Sequence, residues 1–400
     1  MSLGLEQEME RESNTDRKAQ GRRRRTQLLS ILVLINNFIK NQKQTKIEKR
    51  IERYIPDMKH ILMWTRLPNV EEEGQQYFIT HKCEHINCYF TSNRSLLMDL
   101  RYFDAIVFNV QDVSSQSSDL PKVRSIVQKY IFAANDSADN YPVCSPVYER
   151  FFNWTWTYRL DSSIPYKFIS VYNIHDEELG NNILWENFVM KPVSKLFISS
   201  LSSKSAAAAI YLDKCTTISR REIFLNNLKI FLEPYNLTVD VFGPCGNKKC
   251  GRTSLRSCYY RIRTTYYFYL AFEDSIATDY ITKSVLFGYN NLAVPVVLGG
   301  AEYSRYLPPY SYLDGVKLGE RLTAKLMYEA IQNKTKYYEF FNWRNHYTIK
   351  ESNVLDACSL CQLLNSEGWL KTRETYTTFR NWWNSNYMER CKAEKRLNMF

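Results

Sequence analysis

The chain has 400 residues, of which 44% are hydrophobic and 14% aromatic, enough apolar material for two packed domains and too much for a disordered protein. Its formal net charge is +11, which suits an anionic ligand. Much of the excess sits in a tail, in Arg22 to Arg25 and in Lys40, Lys43, Lys46, Lys49, Arg50 and Arg53, and this placement argues against nucleic acid as a partner.

Behind the arginine run, Leu28 to Ile39 is a short apolar stretch. A membrane-spanning helix takes roughly 20 apolar residues, so this one is short, yet basic residues followed by an apolar run have the polarity of a signal anchor. An amphipathic helix leading into a charged stem, Asn41 to Arg53, is the equal alternative. From Lys59 to about Leu196, apolar runs such as His60-Ile61-Leu62-Met63-Trp64 and Phe103-Asp104-Ala105-Ile106-Val107-Phe108 read as buried parallel strands. The Ser/Ala-rich stretch Ile198 to Ala209 reads as an interdomain connection.

Beyond it the pattern predicts a strand over Ala209 to Leu212, a helix over Arg220 to Leu232, and strands over Val239 to Phe242 and Tyr266 to Phe272. A helix over Tyr280 to Tyr289 and a strand over Val294 to Leu298 follow. Such alternation predicts a doubly wound parallel sheet, whose ligands bind beyond the carboxyl ends of the strands. Glu273 and the pair Gly299-Gly300 follow two of those ends. Dinucleotide and P-loop glycine motifs are absent from the sequence.

Cys83 and Cys88, then Cys245, Cys250 and Cys258, then Cys358 and Cys361 cluster along the chain, with Cys391 beyond them. Zinc is a poor reading, because Cys391 and His346 have the wrong spacing for a second ligand pair; disulfides of undetermined pairing are expected. Asn-X-Ser/Thr sites at Asn93, Asn135, Asn153, Asn236 and Asn333 are candidates for N-glycosylation. The aromatic surroundings of Asn153 make a structural asparagine an equal alternative there.

One run of residues carries a resemblance: Tyr269-Leu270-Ala271-Phe272-Glu273-Asp274-Ser275, then Asp279-Tyr280-Ile281-Thr282, then Val294-Pro295-Val296-Val297-Leu298-Gly299-Gly300. Ordered pieces flank it, among them Phe152-Asn153-Trp154-Thr155, Cys215 with Ser219 and Arg221, Val239 to Gly246, Phe341-Asn342-Trp343-Arg344 and Cys358-Ser359-Leu360-Cys361. The whole resembles the α1,3/4-fucosyltransferase family, from about Met58 to Cys391.

The resemblance implies an α/β fold of two Rossmann-like domains facing across a cleft, the GT-B-type glycosyltransferase architecture. With it we expect a tail, anchor and stem over 1–57, an acceptor-side domain over 58–197, a GDP-fucose-binding domain over 198–345 and a helical segment with a cysteine pair over 346–400. It also implies inverting transfer of fucose from GDP-fucose to N-acetylglucosamine of a glycoprotein glycan, in a type II Golgi membrane protein with a luminal catalytic domain. No permanently bound cofactor and no divalent metal are expected, since an Asp-X-Asp metal motif is absent.

The family's catalytic Glu falls on Asp136, the expected base. The donor-side residues implied are Arg221, on the diphosphate, with Tyr269, Glu273, Asp274, Asp279, Tyr280 and Lys283; Asp279 as a helix cap is the alternative for that residue. After Asp-Tyr-Ile-Thr the family continues Glu-Lys, whereas here Lys283 follows Thr282 directly. One residue is lost, Lys283 keeps the family lysine's spacing to Pro295, and the Glu is missing. A catalytically inactive relative that binds a glycan or nucleotide is therefore the competing reading.

Overall fold

Parallel strands covered on both faces need apolar side chains at successive positions, and the chain supplies such runs twice. The computed structural model describes residues 58–65, 73–114, 119–180, 183–185, 190–249, 256–352 and 357–397. The expected anchor, Leu28 to Ile39, and the rest of 1–57 lie outside the described residues, as does Cys250. No helix among the described residues is long and apolar enough to cross a membrane.

The strands are β1 (Lys59–Met63), β2 (Cys88–Thr91), β3 (Ala105–Asn109), β4 (Lys129–Ala134), β5 (Trp154–Thr157), β6 (Ile164–Pro165) and β7 (Ile169–Asn173). They continue with β8 (Ala206–Tyr211), β9 (Val239–Phe242), β10 (Tyr266–Phe272), β11 (Val294–Leu298), β12 (Leu313–Asp314) and β13 (Tyr347–Glu351). The first sheet has the order β2-β1-β3-β4-β5-β6 and the second β12-β11-β10-β8-β9, with β13 paired antiparallel to β7 apart from both. All pairs within the two large sheets are parallel.

The helices used below are α1 (Arg221–Leu232), α2 (Arg256–Thr265), α3 (Ser284–Asn290), α4 (Gly315–Gln332), α5 (Ala357–Asn365), α6 (Phe379–Trp383) and α7 (Tyr387–Leu397). Leu225, Leu228 and Leu232 recur on one face of α1 and are buried, as a helix covering a sheet requires. Alternate residues of each strand feed opposite cores: Ile131 and Ala133 of β4 belong to one cluster and Phe132 and Ala134 to another.

The strands expected over Val239 to Phe242, Tyr266 to Phe272 and Val294 to Leu298 are those observed. Two expectations are corrected. The Ser/Ala-rich stretch is not a connection throughout, because Ala206–Ala209 belongs to the buried strand β8, pairing with both β9 and β10. The helix expected from Tyr280 begins only at Ser284.

The expected helical segment with a cysteine pair, 346–400, carries α5, α6 and α7 and packs back on the first sheet. Ala357, Leu360, Cys361 and Leu364 of α5 complete one core of the first sheet, and Phe379 and Trp383 of α6 complete the other. Three disulfides fasten this return, Cys83–Cys358, Cys88–Cys361 and Cys144–Cys391. A fourth joins Cys215 to Cys245, and Cys258 is also disulfide-bonded. Cys144 and Cys215 were missing from the expected set.

Candidate active site

The carboxyl ends of β4, β8 and β10 converge. Asp136 follows β4 by two residues, and its Oδ1 accepts hydrogen bonds from the Ser137 backbone N–H at 2.7 Å and from Asn140 Nδ2 at 3.1 Å. The same Asn140 amide reaches both carboxylate oxygens of Asp274, each at 3.3 Å, at the end of β10. One carboxamide thus bridges the Asp that ends a first-sheet strand and the Asp that ends a second-sheet strand. Asp136 Oδ2 has no partner among the described residues.

Lys214, beyond the end of β8, gives an ion pair of 2.7 Å to Asp274. That hydrogen bond chiefly, with the nearby Asp274, Asp136 and Asp213 charges, outweighs partial burial and raises the ammonium's pKa. The Cys215–Cys245 bridge adjoins Lys214 and staples the loop after β8 to the loop after β9.

Arg221 opens α1 and is only 8% exposed. Its Nη1 donates to the Phe272 carbonyl at 2.7 Å and its Nη2 to Asp213 Oδ1 at 3.3 Å, while the buried Nε has no partner. Ser219 holds the loop ahead of the helix in place, its N–H donating to the Asp274 carbonyl at 3.0 Å and its hydroxyl to the Glu273 carbonyl at 2.8 Å. A helix start with a guanidinium beneath it and a lysine beside it is an anion-binding arrangement. Ser275 Oγ and Tyr303 Oη are further buried, unpartnered polar atoms in the neighbouring loops. Such atoms are rare in folded proteins and are expected where a polar ligand sits.

Glu273 is buried, 4% exposed, with Oε1 accepting from the Thr282 N–H at 2.8 Å and Oε2 lying 2.9 Å from Thr282 Oγ1. Burial pushes its pKa up to about 7 against the pull of these bonds and of Ser284. Gly299 and Gly300 make room for this loop. A Cβ on Gly299 would lie 2.4 Å from Tyr303 Oη and 3.0 Å from Glu273 Cγ, and one on Gly300 would lie 2.4 Å from the Ala277 carbonyl.

The other expected donor residues are placed differently. Tyr269 points into the core of the second sheet, 4% exposed and stacked on Phe287. Tyr280 and Ala277 are inserted into the core of the first sheet, with Tyr280 edge-on to Tyr158 at 5.0 Å. Asp279 caps no helix: it has a positive φ of 61° and its Oδ2 accepts the Leu160 N–H at 3.1 Å. Lys283 follows the Glu273-bound Thr282, but its ammonium turns to Glu351 at 2.9 Å in a largely exposed pair. Asp136, Arg221 and Asp274 therefore come together around Lys214 and Asn140. The sequence reading missed both of those; Lys214 adjoins Cys215, which had been singled out, whereas nothing marked Asn140.

Asn93, Asn236 and Asn333 are exposed, Asn135 and Asn153 partly so. The Asn153 side chain is engaged throughout, accepting from Tyr130 N–H and Arg124 and donating through Nδ2 to the Glu374 carbonyl, the arrangement of a structural asparagine. No group of three or more metal-ligating side chains occurs among the described residues.

Two family profiles match the chain, "Fucosyltransferase, N-terminal" over residues 56–169 and "Glycosyltransferase family 10 (fucosyltransferase) C-term" over 201–390. The Drosophila melanogaster protein Alpha-(1,3)-fucosyltransferase C is 28% identical over 393 residues, spanning 93% of this chain and 89% of its own. Caenorhabditis elegans Alpha-(1,3)-fucosyltransferase fut-1 is 25% identical, over 88% of this chain and 75% of its own. A solved structure described as alpha1,3-fucosyltransferase with GDP-fucose overlays with a TM-score of 0.46 at 14% identity, covering 80% of this chain and 92% of that one. With both halves of the chain matched in order, it belongs to the glycosyltransferase family 10 fucosyltransferases and is a glycosyltransferase of the α1,3-fucosyltransferase kind.

Proposed function

We propose that the chain transfers L-fucose from GDP-fucose, with inversion, to the O3 hydroxyl of N-acetylglucosamine in a glycoprotein glycan. The observation that carries the proposal is Asp136, whose one open carboxylate oxygen faces a cluster shared with Asn140, Asp274, Lys214 and Arg221. On this reading the protein works in the Golgi lumen, held by the segment Leu28 to Ile39.

In the reaction the acceptor oxygen attacks the anomeric carbon of fucose while the bond from that carbon to the phosphate oxygen breaks. GDP leaves with the electron pair, and the acceptor's proton passes to Asp136 Oδ2, as general-base catalysis requires. Asn140 holds Oδ1 and so aims Oδ2, a restraint worth a great deal because small misplacements of a base cost rate heavily. Arg221 and the amide groups at the start of α1 receive the diphosphate. Lys214 is already at the cluster, and Lys283 is the second cation, its exposed pair with Glu351 being weak enough to exchange for phosphate. Glu273, Asp274 and Asp279 build the floor of the donor site, and Tyr269 and Tyr280 support it from the two cores.

The test is calorimetric titration of the full chain with GDP-fucose, with transfer to a panel of N-acetylglucosamine-terminated glycans measured on the same preparation with and without chelator. Asp136→Asn keeps donor binding and loses about 10²- to 10⁴-fold in transfer, and chelator changes nothing. Donor binding without transfer by the wild type would point instead to an inactive relative. Absence of donor binding would sink the site assignment altogether.

A further inference from the structure

Asp136 stands at the carboxyl end of β4; at the amino end of the same strand lies a second polar feature. Here Arg101, Arg124, Lys371 and Arg373 line a groove of about 1180 Å³ together with Tyr102 and Val127. Six residues of strand at about 3.3 Å each separate the two ends by roughly 20 Å, so the groove is distinct from the fucosyl-transfer cluster.

Its positive charge is only partly compensated. Arg101 is held by a forked pair with Asp99, whereas Lys371 pairs with Glu367 in an exposed pair of little strength. Arg124 and Arg373 have no ion pair among the described residues. Arg124 donates to the Phe151 carbonyl at 2.9 Å and to the neutral Asn153 side chain, and its guanidinium lies 3.7 Å from the centre of the Tyr130 ring. The one acid in the lining, Asp104, accepts the His60 N–H at 2.8 Å, and burial raises its carboxyl's pKa, which disfavours its charged form. Beneath the groove Lys129, 1% exposed, donates to the Thr372 carbonyl. Burial first, then the charges of Arg124 and Arg373, lower its pKa, so the three cations repel one another as like charges held close must. An oxyanion seated between the two guanidiniums relieves that repulsion and matches their planar forks. Tyr102, 69% exposed at the rim, offers an aromatic face of the kind that stacks against a sugar ring.

We propose that this groove binds a saccharide carrying sulfate or phosphate esters, with the ester oxygens on Arg124, Arg373 and Lys371 and a sugar ring on Tyr102. The site recognises ester charge and is separate from the transfer chemistry, so it holds an anionic part of a glycan, or a second glycan, without entering the reaction.

The probes are a heparin-derived octasaccharide for sulfate esters and pentamannose 6-phosphate for phosphate esters, each titrated into the full chain at low and at physiological ionic strength. At least one binds, more weakly as salt rises, and the tighter probe assigns the ester. Lys371→Glu with Arg373→Glu weakens that binding about tenfold or more, while the thermal midpoint and transfer to a neutral acceptor are unchanged. Lys229→Glu with Lys325→Glu, the same charge change on α1 and α4, leaves affinity within about twofold if the groove is the site. Arg373→Ala alone gives a smaller loss of the same kind. Failure of both probes to bind, or equal losses in the α1 and α4 variant, overturns the proposal.

Discussion

Replacing Glu273 by Gln removes a pH dependence of stability that the wild type carries. The Glu273 carboxyl titrates at about 7 in the fold against an ordinary value of 4.5, because burial penalises its charged form more than Thr282 and Ser284 favour it. The folded pKa lies above the unfolded one, so the unfolded chain releases this proton first. Stability is therefore fully present below about pH 4.5 and falls as pH rises through about pH 7. At about 1.4 kcal/mol per pH unit the loss is about 3 kcal/mol. Gln is the shape of the protonated acid: its carbonyl oxygen accepts the Thr282 N–H and its amide donates to Thr282 Oγ1, the two contacts that Oε1 and Oε2 make. Buried Lys204 has its pKa lowered to about 7, chiefly by burial, and its contribution changes only above that pH. Urea unfolding of both proteins with disulfides intact, followed by tryptophan fluorescence at several pH values, gives the difference. The Gln variant gains about 3 kcal/mol on the wild type between about pH 4.5 and pH 7. A difference that stays constant with pH refutes the protonated, buried state of Glu273.

Other substitutions probe the remaining parts of the site and its frame. Arg221→Lys weakens GDP binding about tenfold or more in calorimetry, because a point charge cannot hold Phe272 and a phosphate with the same planar fork. Gly300→Ala puts a methyl group 2.4 Å from the Ala277 carbonyl, costs about 1–3 kcal/mol in unfolding, and lowers donor affinity by displacing the Asp274–Asp279 loop. Replacing Cys144 and Cys391 by Ser frees α7. The other two long-range bridges remain, so the shorter circuit through 88–144 and 361–391 sets the cost, about 4 kcal/mol by denaturation.

The two sheets were legible because their strands are fully buried runs: β10, Tyr-Tyr-Phe-Tyr-Leu-Ala-Phe, is buried at every position and has no competing reading. Ala206–Ala209 was not legible, since small residues between serines look like a connection, and only the neighbours β9 and β10 make them a strand. The helix expected from Tyr280 starts late for a related reason. Ala277 and Tyr280 are claimed by the core of the other half, a tertiary demand invisible in local periodicity. At the site, Asp136, Arg221 and Asp274 came from resemblance, and Glu273 also from its place after a strand. Lys214 and Asn140 act through contacts between strands far apart in sequence, 60 residues for Lys214 with Asp274 and 134 for Asn140 with Asp274, which spacing along the chain cannot reveal.

The return of α5, α6 and α7 to the first sheet bears on how the protein is made. Cys83, Cys88 and Cys144 emerge from the ribosome with partners 275, 273 and 247 residues away. At about 5–20 residues per second, the first half waits on the order of tens of seconds, with reactive thiols and two unfinished cores, before its closing pieces are synthesised. The second sheet, whose bridge Cys215–Cys245 spans only 30 residues, can close first. This inverts the usual order in which an amino-terminal unit folds ahead of the rest, and it leaves Cys83 and Cys88 exposed to mispairing until α5 is made.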